Sequence, residues 1–159
     1  VGNMSKIFTI RQMQPRDCGR VAYIDEQCIR NAWSKEDFDS LFQYMENHYL
    51  VAECEHQIVG FVGLIQFVDS GDITHIAVLP EYRGNRIATA LMKGMFLLAQ
   101  KNGIESIHLE VRQSNQIAQK LYEQLGFERI HVRRRYYTNP VEDAVIMIRN
   151  LNKEKIESA

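Results

Sequence analysis

The sequence predicts an α/β (α+β) fold in which about seven strands and about four helices follow the order β-α-α-β-β-β-α-β-α-β-β. Two observations predict it. Short apolar runs, several with period-two alternation, are separated by segments whose apolar residues recur at helical spacing. Glycine, proline and asparagine stand at many of the junctions. With 159 residues and 45% hydrophobic content, the chain suits one domain with a single sizeable core.

The first three elements are a strand and two helices. Residues 7–13 alternate as a strand, and residues 15–17 begin a helix that we expect to end near Cys28. Ser34 to Asp37 approximates a capping box at the start of the second helix. The apolar stripe of that second helix consists of Phe38, Leu41, Phe42 and Met45.

A hairpin follows. Residues 49–54 and 58–68 predict two strands that are joined around His56-Gln57, with bulges expected at Gly60 and Gly63.

The second half of the chain alternates strands and helices. Residues 74–78 form a strand that Pro80 stops, and Ile87 opens a long helix that Asn102-Gly103 ends. A strand over residues 104–111 comes next. Its buried face carries Ile107, Leu109 and Val111, so the residues between them point to the opposite face.

The last helix begins at Ser114-Asn115 and ends at Gly126, and Phe127 enters a further strand. The buried stripe of this helix is predicted to contain Ile117, Leu121, Tyr122 and Leu125.

The polar connection from Tyr82 to Arg86 lies between a strand and a helix. Backbone N–H groups and the helix dipole converge at such a connection, which makes it a seat for phosphate or pyrophosphate. A P-loop would end in Gly-Lys-Ser/Thr, and a dinucleotide fingerprint would carry three glycines, whereas this loop has only Gly84. An ordinary strand-to-helix connection is the alternative interpretation.

Two motifs resemble those of the GNAT N-acetyltransferases. Residues 83–88, Arg-Gly-Asn-Arg-Ile-Ala, resemble the family's R/Q-x-x-G-x-G/A loop, and residues 78–82 resemble its V-x-P-x-Y lead-in. Residues 109–127 resemble the pattern L-E-V-R-x-S-N-x-x-A-x-x-L-Y-E-x-L-G-F. The resemblance runs from about Ile7 to Met147 and implies the GNAT fold, with a mixed, mostly antiparallel central sheet.

Within this family the chain most resembles the RimI-type enzymes, which acetylate the N-terminal alanine of a small-subunit ribosomal protein. Residues 32–34, 133–137 and 142–147 resemble their P-W-S, R-R-N-Y-Y and E-D-A-I-I-M elements. Three positions depart from these patterns. Asn31-Ala32 replaces an aromatic-proline pair, Arg135 replaces asparagine, and Arg86 stands where the family usually has glycine. If Arg86 needs a positive φ it carries a strain cost, and otherwise its guanidinium adds a contact to phosphate.

The resemblance implies that acetyl-CoA is the acetyl donor and assigns residues to it. The main chain of one strand would pair with the pantetheine, the loop and the start of the helix would hold the pyrophosphate, and Asn115 would hydrogen-bond the pantetheine arm. These cofactor-binding residues are Ile76, Ala77, Val78, Arg83, Gly84, Asn85, Arg86, Ile87, Ala88, Thr89, Asn115 and Tyr122. A backbone N–H near Val78 would polarise the thioester carbonyl.

The resemblance also implies catalytic and acceptor-binding residues. Glu110 would act as the base that deprotonates the amine, and Tyr122 as the acid that protonates the departing thiolate. Trp33, Glu110 and Tyr136 are expected at the acceptor site. Three of these residues have a structural alternative. Glu110 could be a solvent-facing strand carboxylate, Tyr122 a core aromatic and Trp33 a hydrophobic staple.

Composition limits the remaining possibilities. The formal net charge of −1 gives no overall case for nucleic-acid or membrane binding. Three cysteines and five histidines show no metal-ligand spacing, so no metal is predicted and a reducing compartment is favoured. With neither an apolar leader nor a long apolar run, a cytoplasmic protein is expected. Residues 1–3 are expected to be a leftover of protein expression, 4–150 one GNAT domain, and 151–159 a polar tail.

These features predict an N-acetyltransferase acting on a protein N-terminal α-amine, the N-terminal alanine of a ribosomal protein being the specific expectation. The first alternative is acetylation of a small-molecule amine such as a polyamine, an antibiotic or a metabolite. A non-catalytic acyl-CoA-binding module is the second alternative.

Overall fold

The computed structural model describes residues 6–151, and over this range the predicted order of elements is confirmed. The strands are β1 Thr9–Gln12, β2 Asn47–Cys54, β3 Gln57–Phe67, β4 Ser70–Val78, β5 Ser106–Arg112, β6 Glu128–Tyr137 and β7 Glu142–Asn150. The helices are α1 Cys18–Cys28, α2 Lys35–Ser40, α3 Ile87–Lys101 and α4 Gln116–Gln124, with 3₁₀ turns at Pro15–Asp17, Leu41–Gln43 and Pro80–Tyr82.

The seven strands form one sheet in the order β1-β2-β3-β4-β5-β7-β6. Every neighbouring pair is antiparallel except β4 and β5, which are parallel. That parallel pairing has three rungs, from Ser70 opposite Ser106 to Asp72 opposite His108. Beyond the third rung the strands separate, which leaves a gap between residues 73–78 of β4 and 109–112 of β5. We call it the β4–β5 gap.

Two clusters of buried side chains cover the two faces of the sheet. Helices α3 and α4 pack on one face, where Leu91, Met95, Leu109 and Tyr122 belong to one cluster. Helices α1 and α2 pack on the other face, where Ile24, Phe38 and Phe61 belong to the second. Strand β2 contributes to both, since Leu50 and Ala52 face the first cluster and Val51 the second.

Irregularities in the ladder lie beside the two predicted glycine positions. The β2–β3 register shifts opposite Gly60, and the β3–β4 register shifts next to Gly63. A Cβ atom at Gly63 would lie 2.2 Å from Cζ of Tyr49, so glycine is needed for this close approach. On β4 the second shift leaves Thr74 as the extra residue, because His75 pairs with Gly63 and Ile73 with Leu64.

Three positions of the predicted apolar stripes are exposed. Phe42 and Met45 are 44% and 93% exposed, because α2 ends at Ser40 and the 3₁₀ turn that follows rotates the chain by a different angle per residue. Ile117 is 88% exposed, because the first turn of α4 directs it away from the sheet, while Tyr122 and Leu125 are buried.

The packed region extends slightly beyond its predicted end. Leu151, assigned above to the polar tail, is 1% exposed, and its N–H donates to the carbonyl of Glu105. The predictions for residues 1–3 and 152–159 lie outside the described residues. Within residues 6–151, no helix is long and apolar enough to cross a membrane. The same part of the chain contains no group of three His, Cys, Asp or Glu side chains arranged to hold a metal ion.

Candidate active site

The β4–β5 gap is lined on one side by backbone polar groups of β4. Leu79 donates its N–H to the carbonyl of Val59 on β3 at 2.9 Å, so this residue bonds towards β3. Backbone groups alternate in direction along a strand, so those of Ile76 and Val78 point into the gap and those of Ala77 towards β3. The carbonyl of Val78 already accepts the Arg83 guanidinium at 3.1 Å, which leaves the Val78 N–H directed into the gap.

A row of free backbone donors follows at the N-terminus of α3. Gly84 has φ 84° and Arg86 has φ 61°, and these left-handed residues turn the chain into the helix. The first helical hydrogen bond runs from the Ala90 N–H to the Arg86 carbonyl at 3.1 Å. The N–H groups of residues 84–89 have no acceptor among residues 6–151. These six donors and the positive end of the helix dipole make an anion-binding concavity.

The side chains of the loop hold it in shape. Asn85 donates its amide to the carbonyl of Tyr82 at 3.0 Å. Arg83 turns inward, since its guanidinium contacts Cys28 at 3.7 Å in addition to the Val78 carbonyl. Arg86 is exposed at the mouth of the concavity. The structure thus brings the predicted residues 83–89 together beside the gap. The Arg83 side chain already contacts other groups of the protein.

A cleft of about 680 Å³ opens beside the gap on the α1–α2 face of the sheet and contains all three predicted acceptor-site residues, Trp33, Glu110 and Tyr136. Glu110 points to the face opposite Leu109 and Val111, as predicted from strand alternation. The Tyr136 hydroxyl donates to Glu110 Oε2 at 2.7 Å, and this hydrogen bond is the main cause of the raised pKa of Tyr136. We call this space the acceptor cleft.

Further polar residues line the acceptor cleft, and three of them, Asp72, Thr74 and Arg133, were not predicted from the sequence. Asp72 and His108 form the last rung before the gap, and their side chains are 4.0 Å apart. Burial, together with the charge of Glu110, raises the pKa of Asp72. Thr74 and Arg133 also line the cleft. Alternation on β4 relates Asp72 to Thr74, but only the sheet order places them beside Glu110.

Asn115 and Tyr122 lie on the other side of β5. Asn115 Oδ1 accepts the Ala118 N–H at 3.1 Å, so this side chain caps α4. Tyr122 is 7% exposed and packs in the same cluster as Leu109 and Val111. Burial raises the pKa of Tyr122 to about 12, so its hydroxyl stays protonated at neutral pH. Tyr122 and Glu110 therefore sit on opposite faces of β5, and a ligand in the β4–β5 gap would have access to both faces.

A second cleft, of about 1000 Å³, adjoins the acceptor cleft, and the two share Tyr136. It lies between the α1–α2 connection and the β6–β7 connection. Its polar lining includes Arg30, Asn31, Arg112, Asn139 and Glu142. The two clefts are therefore neighbours on either side of Tyr136.

Comparison with known proteins gives the family. The model of the Acetyltransferase (GNAT) family matches residues 18–127. The ribosomal protein bS18-alanine N-acetyltransferase of Haemophilus influenzae is 32% identical over 143 residues, which cover 87% of this chain and 95% of that protein. A Bacillus subtilis protein to which the same activity is provisionally assigned is 34% identical over 147 residues, 91% of this chain and 96% of that protein.

Solved structures agree with this relationship. The crystal structure of the Escherichia coli ribosomal-protein alanine N-acetyltransferase has a TM-score of 0.84 and 29% identity, covering 91% of this chain and 94% of that one. Ard1 from Thermoplasma volcanium has a TM-score of 0.81 at 24% identity, with coverages of 90% and 97%, a likeness of fold alone. The chain therefore belongs to the GNAT family of acetyltransferases and is an N-acetyltransferase.

Proposed function

We propose that this enzyme transfers the acetyl group of acetyl-CoA to the α-amine of a protein N-terminus, and that its acceptor is the N-terminal alanine of a small-subunit ribosomal protein. The observation that carries the proposal is the β4–β5 gap, which adjoins six free N–H donors at α3 and also the acceptor cleft with Glu110. The names of the relatives that are 32% and 34% identical support the choice of acceptor.

Acetyl-CoA would supply an activated thioester, and the chain would bind and orient it. The N–H groups of residues 84–89 suit the two negative charges of the pyrophosphate. The backbone groups of Ile76 and Val78 that face the gap suit an extended amide-bearing arm. The Val78 N–H is a fixed donor for the negative charge that develops on the thioester oxygen. Asn115 caps α4 with its oxygen, which leaves its amide NH₂ available to the pantetheine.

On the acceptor side, Glu110 is the proposed base. It accepts the proton of the ammonium directly or through water, while the Tyr136 hydroxyl holds the carboxylate in place. Tyr122, whose phenol is protonated at neutral pH, donates to the departing thiolate. An α-amine suits this site, since its ordinary pKa of about 8 lies well below the value of about 10.4 for lysine. A larger fraction of an α-amine than of a lysine amine is neutral at pH 7, so deprotonation by the base is less demanding.

The first experiment is acetyl-CoA-dependent thiol release with two peptides. One has a free N-terminal alanine followed by a ribosomal-protein-like sequence, and the other is the same peptide N-blocked with an internal lysine. Turnover of the first peptide alone is expected. Turnover of the lysine peptide alone, or of neither peptide while acetyl-CoA still binds, would contradict the proposal and direct the search for the acceptor to other amines.

Site-directed variants test the roles of the two groups. Tyr122→Phe and Glu110→Gln are each expected to lower kcat by about tenfold or more, with less than about twofold change in the Kd for acetyl-CoA. Tyr137→Phe is the matched control, because Tyr137 has no hydroxyl hydrogen bond among the described residues. Unchanged turnover in either variant would remove that residue from the mechanism.

The acceptor cleft favours a second candidate, a small polyamine, because Asp72 and Glu110 place two carboxylates at its wall. Against a polycation, Arg133 lines the same cleft, and Arg30 and Arg112 line the adjoining one. Adding spermidine as a third substrate to the assay separates the candidates, since higher kcat/KM for spermidine than for the alanine peptide would favour the polyamine.

A further inference from the structure

Asp25 on α1 is a carboxylate with no exposed surface, and one of its two oxygens has no hydrogen-bond partner among the described residues. Its Oδ2 accepts the backbone N–H of Trp33 at 2.9 Å, which fixes the connection between α1 and α2. Its Oδ1 is buried and has no hydrogen-bond donor among residues 6–151. A buried acceptor without a donor destabilises the fold, so the arrangement calls for a reason.

The imidazole of His75 on β4 lies beside this oxygen. His75 Nδ1 lies 3.5 Å from Asp25 Oδ1, slightly longer than a hydrogen bond. The imidazole is 9% exposed and lines the acceptor cleft, and its ring meets the edge of the Trp33 indole at a centroid distance of 4.5 Å. Its Nε2 has no hydrogen-bond partner among the described residues. Phe38, Tyr49 and Phe61 surround the rest of the ring.

The bulge in β4 is what brings His75 to the cleft. Thr74 is the extra residue of that bulge, so Thr74 and His75 both line the acceptor cleft although they are adjacent in sequence. In a regular strand one of the two would point to the α3 face. The bulge thus adds an imidazole to a wall that already carries Glu110 and Trp33.

Of the two imidazole tautomers, a carboxylate beside Nδ1 favours the one that carries its proton on Nδ1, and Nε2 of that tautomer is an acceptor. We infer that His75 is an acceptor-binding residue whose Nε2 accepts a hydrogen bond from an N–H of the incoming N-terminal residues, and that Asp25 is its positioning residue. This inference rests on the proposed function, because it assigns a further residue of the same acceptor site. Asp25 also holds Trp33, so one buried carboxylate sets two walls of the cleft.

Isosteric variants distinguish this role from a structural one. His75→Asn places an amide where Nδ1 was and nothing at Nε2, whereas His75→Gln places an amide near the Nε2 position. Asp25→Asn keeps an oxygen for the Trp33 N–H but can donate to Nδ1, which reverses the tautomer, as the corresponding change does in serine proteases. His75→Asn and Asp25→Asn should each raise the KM for the alanine peptide about tenfold, with kcat and the Kd for acetyl-CoA within about twofold. His75→Gln should recover part of the loss.

The sole tryptophan, Trp33, supplies a readout that does not need turnover. Its fluorescence on titrating the alanine peptide into the enzyme saturated with CoA gives the peptide Kd, which should rise about tenfold in His75→Asn and Asp25→Asn. If wild type binds and acetylates the peptide but these variants have unchanged KM and Kd, the inference is overturned and the proposed function stands. The same holds if His75→Gln is as impaired as His75→Asn. A wild type that neither binds nor acetylates the peptide overturns both.

Discussion

Arg86 adopts the left-handed conformation, with φ 61° and ψ 24°, at the residue that precedes α3. Arg135, in the β6–β7 region, has φ 54°. Non-glycine residues avoid this region because Cβ approaches the backbone, and asparagine tolerates it better than most. The family pattern has glycine and asparagine at these two positions, which the backbone geometry explains. Arg86 therefore carries a strain cost, the first of the two alternatives raised by the sequence.

Replacing Arg86 by glycine should stabilise the protein without its cofactor. Relief of the left-handed conformation outweighs the greater freedom of glycine in the unfolded chain, so the free energy of unfolding should rise by about 1 kcal/mol. The Kd for acetyl-CoA should rise at the same time, because a positive charge is lost beside the six N–H donors. Urea denaturation and calorimetric titration measure the two effects. Arg86→Lys, which keeps both charge and strain, is the control and should change neither by much.

The Tyr136 hydroxyl holds the proposed base, Glu110, in position. It donates to Glu110 at 2.7 Å across the acceptor cleft. Tyr136→Phe should lower kcat about threefold to tenfold, because the carboxylate loses the donor that fixes its position. Steady-state kinetics with the alanine peptide measure this. Equal kcat for Tyr136→Phe and wild type would mean that Glu110 is positioned by other contacts.

At the scale of elements, a glycine in the left-handed conformation flanks each end of α3, and the two can be compared by substitution. Gly84 has φ 84° and Gly103 has φ 77°, and a Cβ atom at either would have nothing within 4 Å. Gly84→Ala and Gly103→Ala should therefore each destabilise the fold by about 1–2 kcal/mol through backbone strain alone. Only Gly84→Ala should weaken acetyl-CoA binding, because backbone strain at this position would displace an N–H that belongs to the row of free donors.

Thermal unfolding and acetyl-CoA titration of both variants check this prediction. Gly103→Ala controls for the loss of stability. If the two variants weaken acetyl-CoA binding equally, the effect comes from a general loosening of the fold, and the loop at Gly84 has no special part in binding.

At the scale of the whole molecule, the sheet consists of two halves that separate at the β4–β5 gap. Strands β1–β4 and β5–β7 are joined by only three parallel rungs, although α3 and α4 pack across one face. A ligand that fills the β4–β5 gap would add contacts between the halves. Binding to the native state alone stabilises it by about 2.7 kcal/mol at a ligand concentration one hundred times Kd.

Acetyl-CoA at that concentration should therefore raise Tm by about 5–10 °C for a domain of this size. Differential scanning fluorimetry measures the shift. Acetyl-pantetheine at the same concentration is the control, because it lacks the pyrophosphate that the α3 N-terminus is proposed to bind, and its shift should be much smaller. Equal shifts for the two compounds would place the main binding contacts in the gap, away from the donors of residues 84–89.

The amino-acid sequence was enough to predict the element order, the position of the loop after β4 and the direction of Glu110. These depend on local periodicity, turn residues and strand alternation, which are properties of neighbouring residues. Its errors at Phe42, Met45 and Ile117 are also local, since helix ends and a change of helical pitch decide which way those side chains face.

Tertiary structure decided the rest of the candidate site. The three-rung β4–β5 pairing and the approach of Asp72 to Glu110 depend on which strands become neighbours, and no spacing along the chain encodes that. The Asp25–His75–Trp33 arrangement likewise joins a helix, a bulged strand and a loop that are distant in sequence. Packing of the two faces brings these groups together, because burying both apolar clusters fixes the helices against one twisted sheet.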